Sequence, residues 1–178
     1  MELIKWATAI DNTFNNDFIS SSFNTLLLAF LAALITSGIA LILNFNARMD
    51  ASRSSEEINN FISMGYAVPG LILAIGITQF LTYIDFILFS TGLIITGSLI
   101  GLIFAYVIKS YALSNNVIQS SYKQVSTDID DSARTLGSNK RKLLLDIHVP
   151  LLKTGLLTSF LLVVSEVVKE LPATLILR

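Results

Sequence analysis

Few side chains in this sequence could take part in chemistry, and one group of charged residues lies near its end. Glu166, Lys169 and Glu170 fall within an apolar stretch long enough to cross a membrane, and Pro172 follows them. Charged side chains are costly inside a membrane helix, so they pair with one another or line a pathway. A carboxylate also offers oxygen ligands to a hard cation. We predict that Glu166, Lys169, Glu170 and Pro172 border a translocation path; the alternative is an ion-paired cluster that holds this helix to its neighbours.

Other reactive residue types are scarce. The sequence has no cysteine and a single histidine, His148, which excludes disulfides, thiolate chemistry and a metal site built from His and Cys ligands. A membrane hydrolase would need a nucleophile with a base, or paired aspartates within spans, and the apolar runs assigned to spans contain no aspartate. We therefore expect no catalytic residue, no resident metal and no cofactor, and we expect His148 to face solvent.

The longest polar segment carries the signals of two short helices. Thr127 can cap a first helix, and Gly137 can end it in the left-handed conformation that glycine adopts without penalty. Ser138 or Asn139 can cap a second helix, which Pro150 would stop. The segment predicts a helix-turn-helix with a compact corner that could seat in a groove of a partner protein.

The same segment contains an ordered pattern. It reads Asp131-Ser132-Ala133, three residues, Gly137, nine residues, and then Ile147-His148-Val149-Pro150. This resembles the cytoplasmic coupling loop of ABC-importer permeases, whose pattern is Glu-Ala-Ala, three residues, Gly, nine residues, Ile-x-Leu-Pro. The spacing matches at every step, and Asp131, Ser132 and Val149 depart from it in residue type. The resemblance implies that six residues couple to the ATPase: Asp131, Ser132, Ala133, Gly137, Ile147 and Pro150.

Two further runs of residues indicate which group of ABC-importer permeases the chain resembles. Lys169-Glu170-Leu171-Pro172-Ala173-Thr174 is similar to a run that follows the coupling loop in permeases of bacterial ferric-iron importers. Gly65-Tyr66-Ala67-Val68-Pro69-Gly70 resembles their second-span segment. The similarity implies transport of ferric iron, whereas the coupling loop alone also fits permeases for thiamine, polyamine, sulfate or molybdate. Permeases of this group are larger, so we expect the chain to correspond to their C-terminal half and to stop before the last span.

The resemblance also implies partners. The sequence contains no GxxxxGK[ST] loop to hold the phosphates of ATP, so a separate ABC ATPase subunit would hydrolyse it. We expect a periplasmic ferric-iron-binding protein to deliver the cargo, and a second permease half or copy to complete the pathway. The net charge of −1 argues against nucleic acid, because phosphate binding needs a basic surface. The expected protein is a transport subunit and not an enzyme.

Composition places the chain in a membrane. Hydrophobic residues make up 53% of it and charged residues 14%, against roughly 25% charged residues in soluble domains. About 20 apolar residues cross the hydrocarbon core as a helix, and four runs reach this length, at about 26–45, 58–80, 93–113 and 156–177. We predict an all-α fold, a polytopic transmembrane helical bundle in contact with lipid, formed by a single, partial permease domain over 1–178.

The basic residues orient this arrangement. Nine of the twelve lysine and arginine residues fall on one side of the four spans, and such residues mark the cytoplasmic side of a membrane protein. The link after the first span and the coupling loop at about 115–153 should therefore be cytoplasmic, in the plasma (inner) membrane of a bacterium. The nine residues are Arg48, Arg53, Lys109, Lys123, Arg134, Lys140, Arg141, Lys142 and Lys153.

Three details of the spans carry structural expectations. Gly97, Gly101 and Ala105 recur every four residues in the third span, a spacing that lets another helix approach closely. Pro69 should kink the middle of the second span, because proline removes one backbone hydrogen bond. The short apolar run at 81–92, which holds one aspartate, fits a surface helix better than another span.

Overall fold

The computed structural model describes residues 16–50, 68–89 and 98–170. These residues form helices and turns, and no strand occurs within the described ranges, so the predicted all-α fold is confirmed. Six helices follow one another along the described chain: α1 (Asn16–Asp50), α2 (Gly70–Phe89), α3 (Leu99–Tyr122), α4 (Asp128–Thr135), α5 (Lys140–Leu151) and α6 (Lys153–Lys169).

The core of the fold is formed where α1, α3 and α6 pack against one another. Small side chains line these contacts, because close approach of the backbones supplies the packing that lipid does not drive. Gly101 and Ala105 of the small-residue series are buried in α3, and Gly97 lies outside the described residues. The fully buried small residues of α1 in this core are Ala29, Ala32 and Ala33.

Three serines join the same helices deeper along the bundle. Ser159 of α6 shares hydrogen bonds with Ser37 of α1, at 3.1 Å, and with Ser114 of α3, at 2.6 Å. All three side chains are buried. Hydrogen bonds between membrane helices contribute roughly 1 kcal/mol each. The main effect of this cluster is therefore to fix the register of the three helices, and its contribution to stability is small.

Helix α2 packs one face against α3. The buried positions are Ala74, Ile77, Leu81 and Asp85, at spacings of three and four residues, which is the periodicity of one helix face. Asp85 is only 1% exposed and lies on this inner face, where protein and not lipid surrounds it. A charged residue in a span is expected to face the protein interior.

Two expectations for this region are wrong. The run at 81–92 was predicted to be a surface helix, yet α2 continues without a break to Phe89, and Asp85 is buried on its inner face. An aspartate therefore does lie within an apolar helix. Pro69 does not kink a helix, since α2 begins at Gly70 and the Pro69 carbonyl accepts the amide of Leu73 at 3.1 Å. A proline at a helix start costs no hydrogen bond.

Two helical segments in the described chain are long and apolar enough to cross a membrane, Ser20–Met49 and Gly70–Ile87. The first contains the predicted span at 26–45, and the second overlaps the later part of the predicted span at 58–80. Helices α5 and α6 meet at a bend of 75°, and they would supply a third membrane-crossing segment if the pair counts as one span.

The remaining predicted spans are only partly described. Helix α3 begins at Leu99 and runs on to Tyr122, well past the predicted end of the third span at residue 113. Helix α6 ends at Lys169, so the later part of the predicted span at 156–177 lies outside the described residues. The assignment of the chain to one permease domain with a loop at about 115–153 stays a prediction. The first part of that range, up to Tyr122, is helical and belongs to α3.

Candidate functional site

The corner between α4 and α5 has the geometry that its sequence predicts. Gly137 adopts a φ of 81°, in the left-handed region that favours glycine. Its amide donates to the Arg134 carbonyl at 2.9 Å, and the Ser138 amide donates to the Ala133 carbonyl at 3.0 Å, which together form a Schellman motif. Asn139 then caps α5, because its side-chain oxygen accepts the amide of Lys142 at 2.9 Å.

The start of α4 differs from the prediction. The Thr127 side chain makes no capping hydrogen bond. Ser126 replaces it, since its hydroxyl oxygen accepts the amide of Asp128 at 3.2 Å. The first turn of α4 still carries Asp128, Asp130 and Asp131, whose negative charges are favourable at the positive end of the helix dipole.

Asp130 is the centre of a buried ionic network that sequence analysis missed. It is 4% exposed, and each of its carboxylate oxygens has a partner. Arg48 Nε lies 2.6 Å from one oxygen, and His148 Nε2 lies 2.9 Å from the other. Because a carboxylate accepts hydrogen bonds, a neutral His148 ring must carry its proton on Nε2.

Arg48 extends this network to three helices. Its two terminal nitrogens donate to backbone carbonyls, Nη1 to Tyr122 at 3.0 Å and Nη2 to Ser126 at 2.8 Å. The guanidinium carbon also lies 5.7 Å from the centroid of the Tyr122 ring, within cation–π range. Arg48 therefore connects the end of α1 to the end of α3 and, through Asp130, to α4.

The environment of His148 contradicts the prediction that it faces solvent. The side chain is fully buried, with the Phe45 and Tyr122 rings centred 5.3 Å and 5.4 Å from its own. Burial lowers the pKa of the imidazole below 6.5, although Asp130 acts in the opposite direction. Nδ1 has no hydrogen-bond partner in the described part of the chain. The ring is thus held neutral inside an aromatic pocket.

Helix α5 contains a π-helical turn at Leu143–His148 and does not stop at Pro150. It continues to Leu151, and the chain bends by 75° around Leu152 before α6 begins. Pro150 removes one backbone hydrogen bond, and the wide turn before it lets the helix absorb that loss. The predicted stop at Pro150 is therefore wrong by one to two residues, since Leu152 carries the bend.

Three of the six predicted coupling residues line a small groove at this corner. The groove has a volume of about 380 Å³, and Ser132, Ala133 and Ile147 line it. Asp131, Gly137 and Pro150 are exposed but are not among its lining residues. Leu136, next to the turn, also lines the groove and is 86% exposed, so a large apolar side chain stands at the tip of the corner.

The described members of the predicted translocation group lie in different surroundings. Glu166 is half-buried and Lys169 is exposed, whereas Glu170 is buried at the end of α6. Glu170 forms an ion pair with Lys109 of α3, a lysine expected to mark the cytoplasmic boundary. Pro172 lies outside the described residues. The ion pair joins α6 to α3 in the interior, where pairing offsets the cost of burying each charge.

The described part of the chain is all-helical, and two of its helices are long and apolar enough to cross a membrane. Residues 47–177 match the family described as binding-protein-dependent transport system inner membrane component, and the chain belongs to this family. The resemblance to ABC-importer permeases is thereby confirmed.

One curated relative carries the name Fe(3+)-transport system permease protein FbpB 2, from Haemophilus influenzae strain Rd. It is 28% identical to the chain over 162 residues, which cover 91% of the chain and 31% of that relative. The chain therefore spans about a third of the length of the curated relative that it matches.

Proposed function

We propose that this chain forms part of the membrane pathway of an ABC importer and couples it to a separate ATPase subunit on the cytoplasmic side. The observation that carries the proposal is the corner between α4 and α5, with its groove and its exposed Leu136. Leu136 adjoins the apolar lining of this groove, formed by Ile129, Ala133 and Ile147, and a contiguous apolar surface is what a partner protein covers. ATP hydrolysis belongs to that partner, and this chain acts as a transport component.

The Asp130 network supports a mechanical role for the corner. Arg48 and His148 hold Asp130 from two sides, so α4 is attached to α1 and to α5 through charged hydrogen bonds. These are the stronger class of hydrogen bond. When the ATPase displaces the corner, α1 and the end of α3 should move with it.

The proposed cargo is ferric iron, delivered by a periplasmic ferric-iron-binding protein to a pathway that a second permease half or copy completes. The name of the Haemophilus influenzae relative supports this choice. A permease for thiamine, polyamine, sulfate or molybdate is the alternative. Uptake of radioactive ferric iron by cells that express the complete importer tests the assignment, and uptake of one of the other substrates in place of iron would contradict it.

Glu166, Lys169, Glu170 and Pro172 remain the proposed border of the path, with one refinement. The ion pair between Glu170 and Lys109 supports a structural role for Glu170. Glu170→Gln should therefore lower protein level and iron uptake together. Normal protein level with reduced uptake would instead assign the Glu170 carboxylate to the path, and unchanged uptake would remove it from both roles.

A pair of substitutions at Gly137 tests the coupling role. Gly137→Val places a β-branched residue at a φ of 81°, which costs about 1–2 kcal/mol. Gly137→Asn is the matched control, because asparagine tolerates this conformation. We expect both variants to insert into the membrane, and only Gly137→Val to lose ATPase binding and transport. Equal ATPase binding by the two variants would show that the subunit does not dock through this turn.

A further inference from the structure

A second, larger groove follows the seam between the end of α3 and the start of α6. Its volume is about 820 Å³, and no charged side chain lines it. Its floor lies where Ser121 of α3 meets Gly155 of α6. The polar residues on its two walls are Asn116, Ser120 and Gln124 of α3, and Thr154 and Thr158 of α6.

Three of the four hydroxyl groups that line this groove present oxygen lone pairs, and the side-chain amides of Asn116 and Gln124 add both donors and acceptors. Ser120 donates to the Asn116 carbonyl at 2.7 Å, Ser121 to the Val117 carbonyl at 2.9 Å, and Thr158 to the Thr154 carbonyl at 2.9 Å. A hydroxyl has one hydrogen and two lone pairs. Because each hydrogen is used within its own helix, these three oxygens can only accept from whatever occupies the groove.

The groove extends from the cytoplasmic end of the bundle towards its middle. Thr158 adjoins Ser159, which is hydrogen bonded to Ser37 of α1. Ser37 lies near the middle of the apolar segment Ser20–Met49. Gln124, at the other end, lies beyond the last residue of α3. A polar surface therefore runs from mid-span depth to the cytoplasmic end.

Polar residues recur further along α6, with an apolar residue among them. Ser165 and Lys169 follow Thr158 at intervals of seven and four residues, and both are exposed, so they lie on the same helix face as Thr158. Leu162 is also exposed on that face, four residues after Thr158. The neighbouring exposed residue Leu157 lies on a different side of the helix, together with Leu161 and Val168, and that side is apolar.

We propose that this groove is the water-filled cytoplasmic end of the translocation route and that a hydrated metal cation passes through it. The water shell of a cation points its hydrogens outward, and the lone pairs of Ser120, Ser121 and Thr158 accept them. Without a carboxylate in the lining, a metal ion keeps its water shell and is not trapped. The identity of the cargo as a metal ion rests on the proposed function, whereas the presence of water in the groove does not.

Single cysteines test this inference, since the natural chain has none. Thr158→Cys is placed in the complete importer, and inside-out vesicles are treated with a positively charged, membrane-impermeant thiosulfonate. The cysteine thiolate attacks the sulfenyl sulfur of the reagent and displaces a sulfinate. The thiolate forms in water and is suppressed in apolar surroundings. Leu157→Cys is the matched control, because it is the adjacent residue at similar depth and is 60% exposed.

We expect Thr158→Cys to react about tenfold faster than Leu157→Cys or more, and we expect its modification to block iron uptake. Equal, slow reaction of both variants would overturn the water-filled groove. Fast modification that leaves uptake unchanged would overturn the place of this groove on the translocation route. Uptake is also measured before modification. Fast modification of Thr158→Cys that blocks uptake of a substrate other than iron would support the route and contradict the proposed cargo.

Discussion

Arg48 satisfies three acceptors from one side chain. Its Nε atom contacts Asp130, and its two terminal nitrogens contact the carbonyls of Tyr122 and Ser126. The planar guanidinium presents its donors in a fixed fork, whereas the ammonium of lysine is a single point of charge. The fork matches this site because the acceptors come from different segments of the chain.

Arg48→Lys should therefore destabilise the fold although it keeps the charge. A hydrogen bond to a charged group is worth about 1.5–3 kcal/mol, and lysine cannot replace all three contacts. We expect a lower thermal midpoint for the variant purified in detergent. Arg141→Lys, at an exposed position of α5, is the control and should leave the midpoint unchanged. Equal midpoints for the two variants would contradict the role of the fork.

The buried ring of His148 predicts a loss of stability in acid. Burial lowers the pKa of His148 in the folded chain, whereas the unfolded chain titrates near pH 6.5. Between the two pKa values the unfolded state binds more protons, so the free energy of unfolding falls with the pH. The contribution is complete above about pH 6.5 and is lost as the pH falls through the lower, folded pKa.

His148→Gln provides the comparison, because glutamine is polar but does not titrate in this window. The charged and titratable groups that face the ring are Asp130, Arg48 and Tyr122, and all three are retained in the variant. The stability advantage of the natural chain should shrink as the pH drops below about 6.5. A difference in unfolding free energy that stays constant across this range would contradict a buried, neutral His148.

At the scale of the elements, the π-helical turn of α5 decides which side chains are buried. Leu143 and His148 are five residues apart and are both buried. In a regular α-helix this spacing would place them on different faces, whereas the wider turn brings them onto the same one. The π turn therefore directs His148 towards Asp130, and Pro150 follows where the helix has already opened.

The seam between α3 and α6 depends on Gly155. A Cβ atom at this position would overlap the Ser121 hydroxyl and lie 2.7 Å from Ser121 Cβ. Gly155→Ala should separate the two helices and cost about 1–3 kcal/mol. Ser121→Gly should return the space, so the double variant should be more stable than the sum of the single changes allows. Additive effects on the free energy of unfolding would contradict direct contact at this seam.

The whole molecule combines a tightly packed set of helices with a charged corner at one end. Helices α1, α3 and α6 share the small-residue core and the three linked serines. Arg48, Asp130 and His148 fasten the corner to the same end of that set. A displacement of α4 should therefore act on the set as one body, since packed interiors transmit strain.

Orientation in the membrane can be tested with introduced cysteines. If the basic segments are cytoplasmic, Ser54→Cys and Ser138→Cys should resist a membrane-impermeant thiol reagent in intact cells, whereas Ser90→Cys should react. The physical reason is that basic residues are retained on the cytoplasmic side. Permeabilised cells provide the control, in which Ser138→Cys should become reactive. Labelling of Ser138→Cys from outside would reverse the arrangement.

The sequence by itself determined the features that depend on neighbouring residues. Long apolar runs indicate membrane helices, because an apolar helix buries its own backbone polar groups. The spacing of Gly137 and Asn139 correctly predicts the left-handed turn and the cap of α5, since both depend on local backbone geometry. The pattern from Asp131 to Pro150 also identifies the family, as residues 47–177 confirm.

Only the tertiary structure decided which charged residues are buried and with which partners. Asp130 meets Arg48, which lies 82 residues earlier, and His148, which lies 18 residues later. Lys109 and Asp85 were predicted at the membrane surface, yet Lys109 pairs with Glu170 and Asp85 packs against α3. A hydropathy pattern assigns a charged residue to the water-facing surface. Packing between helices can bury that residue when a partner from a distant part of the chain offsets its loss of solvation.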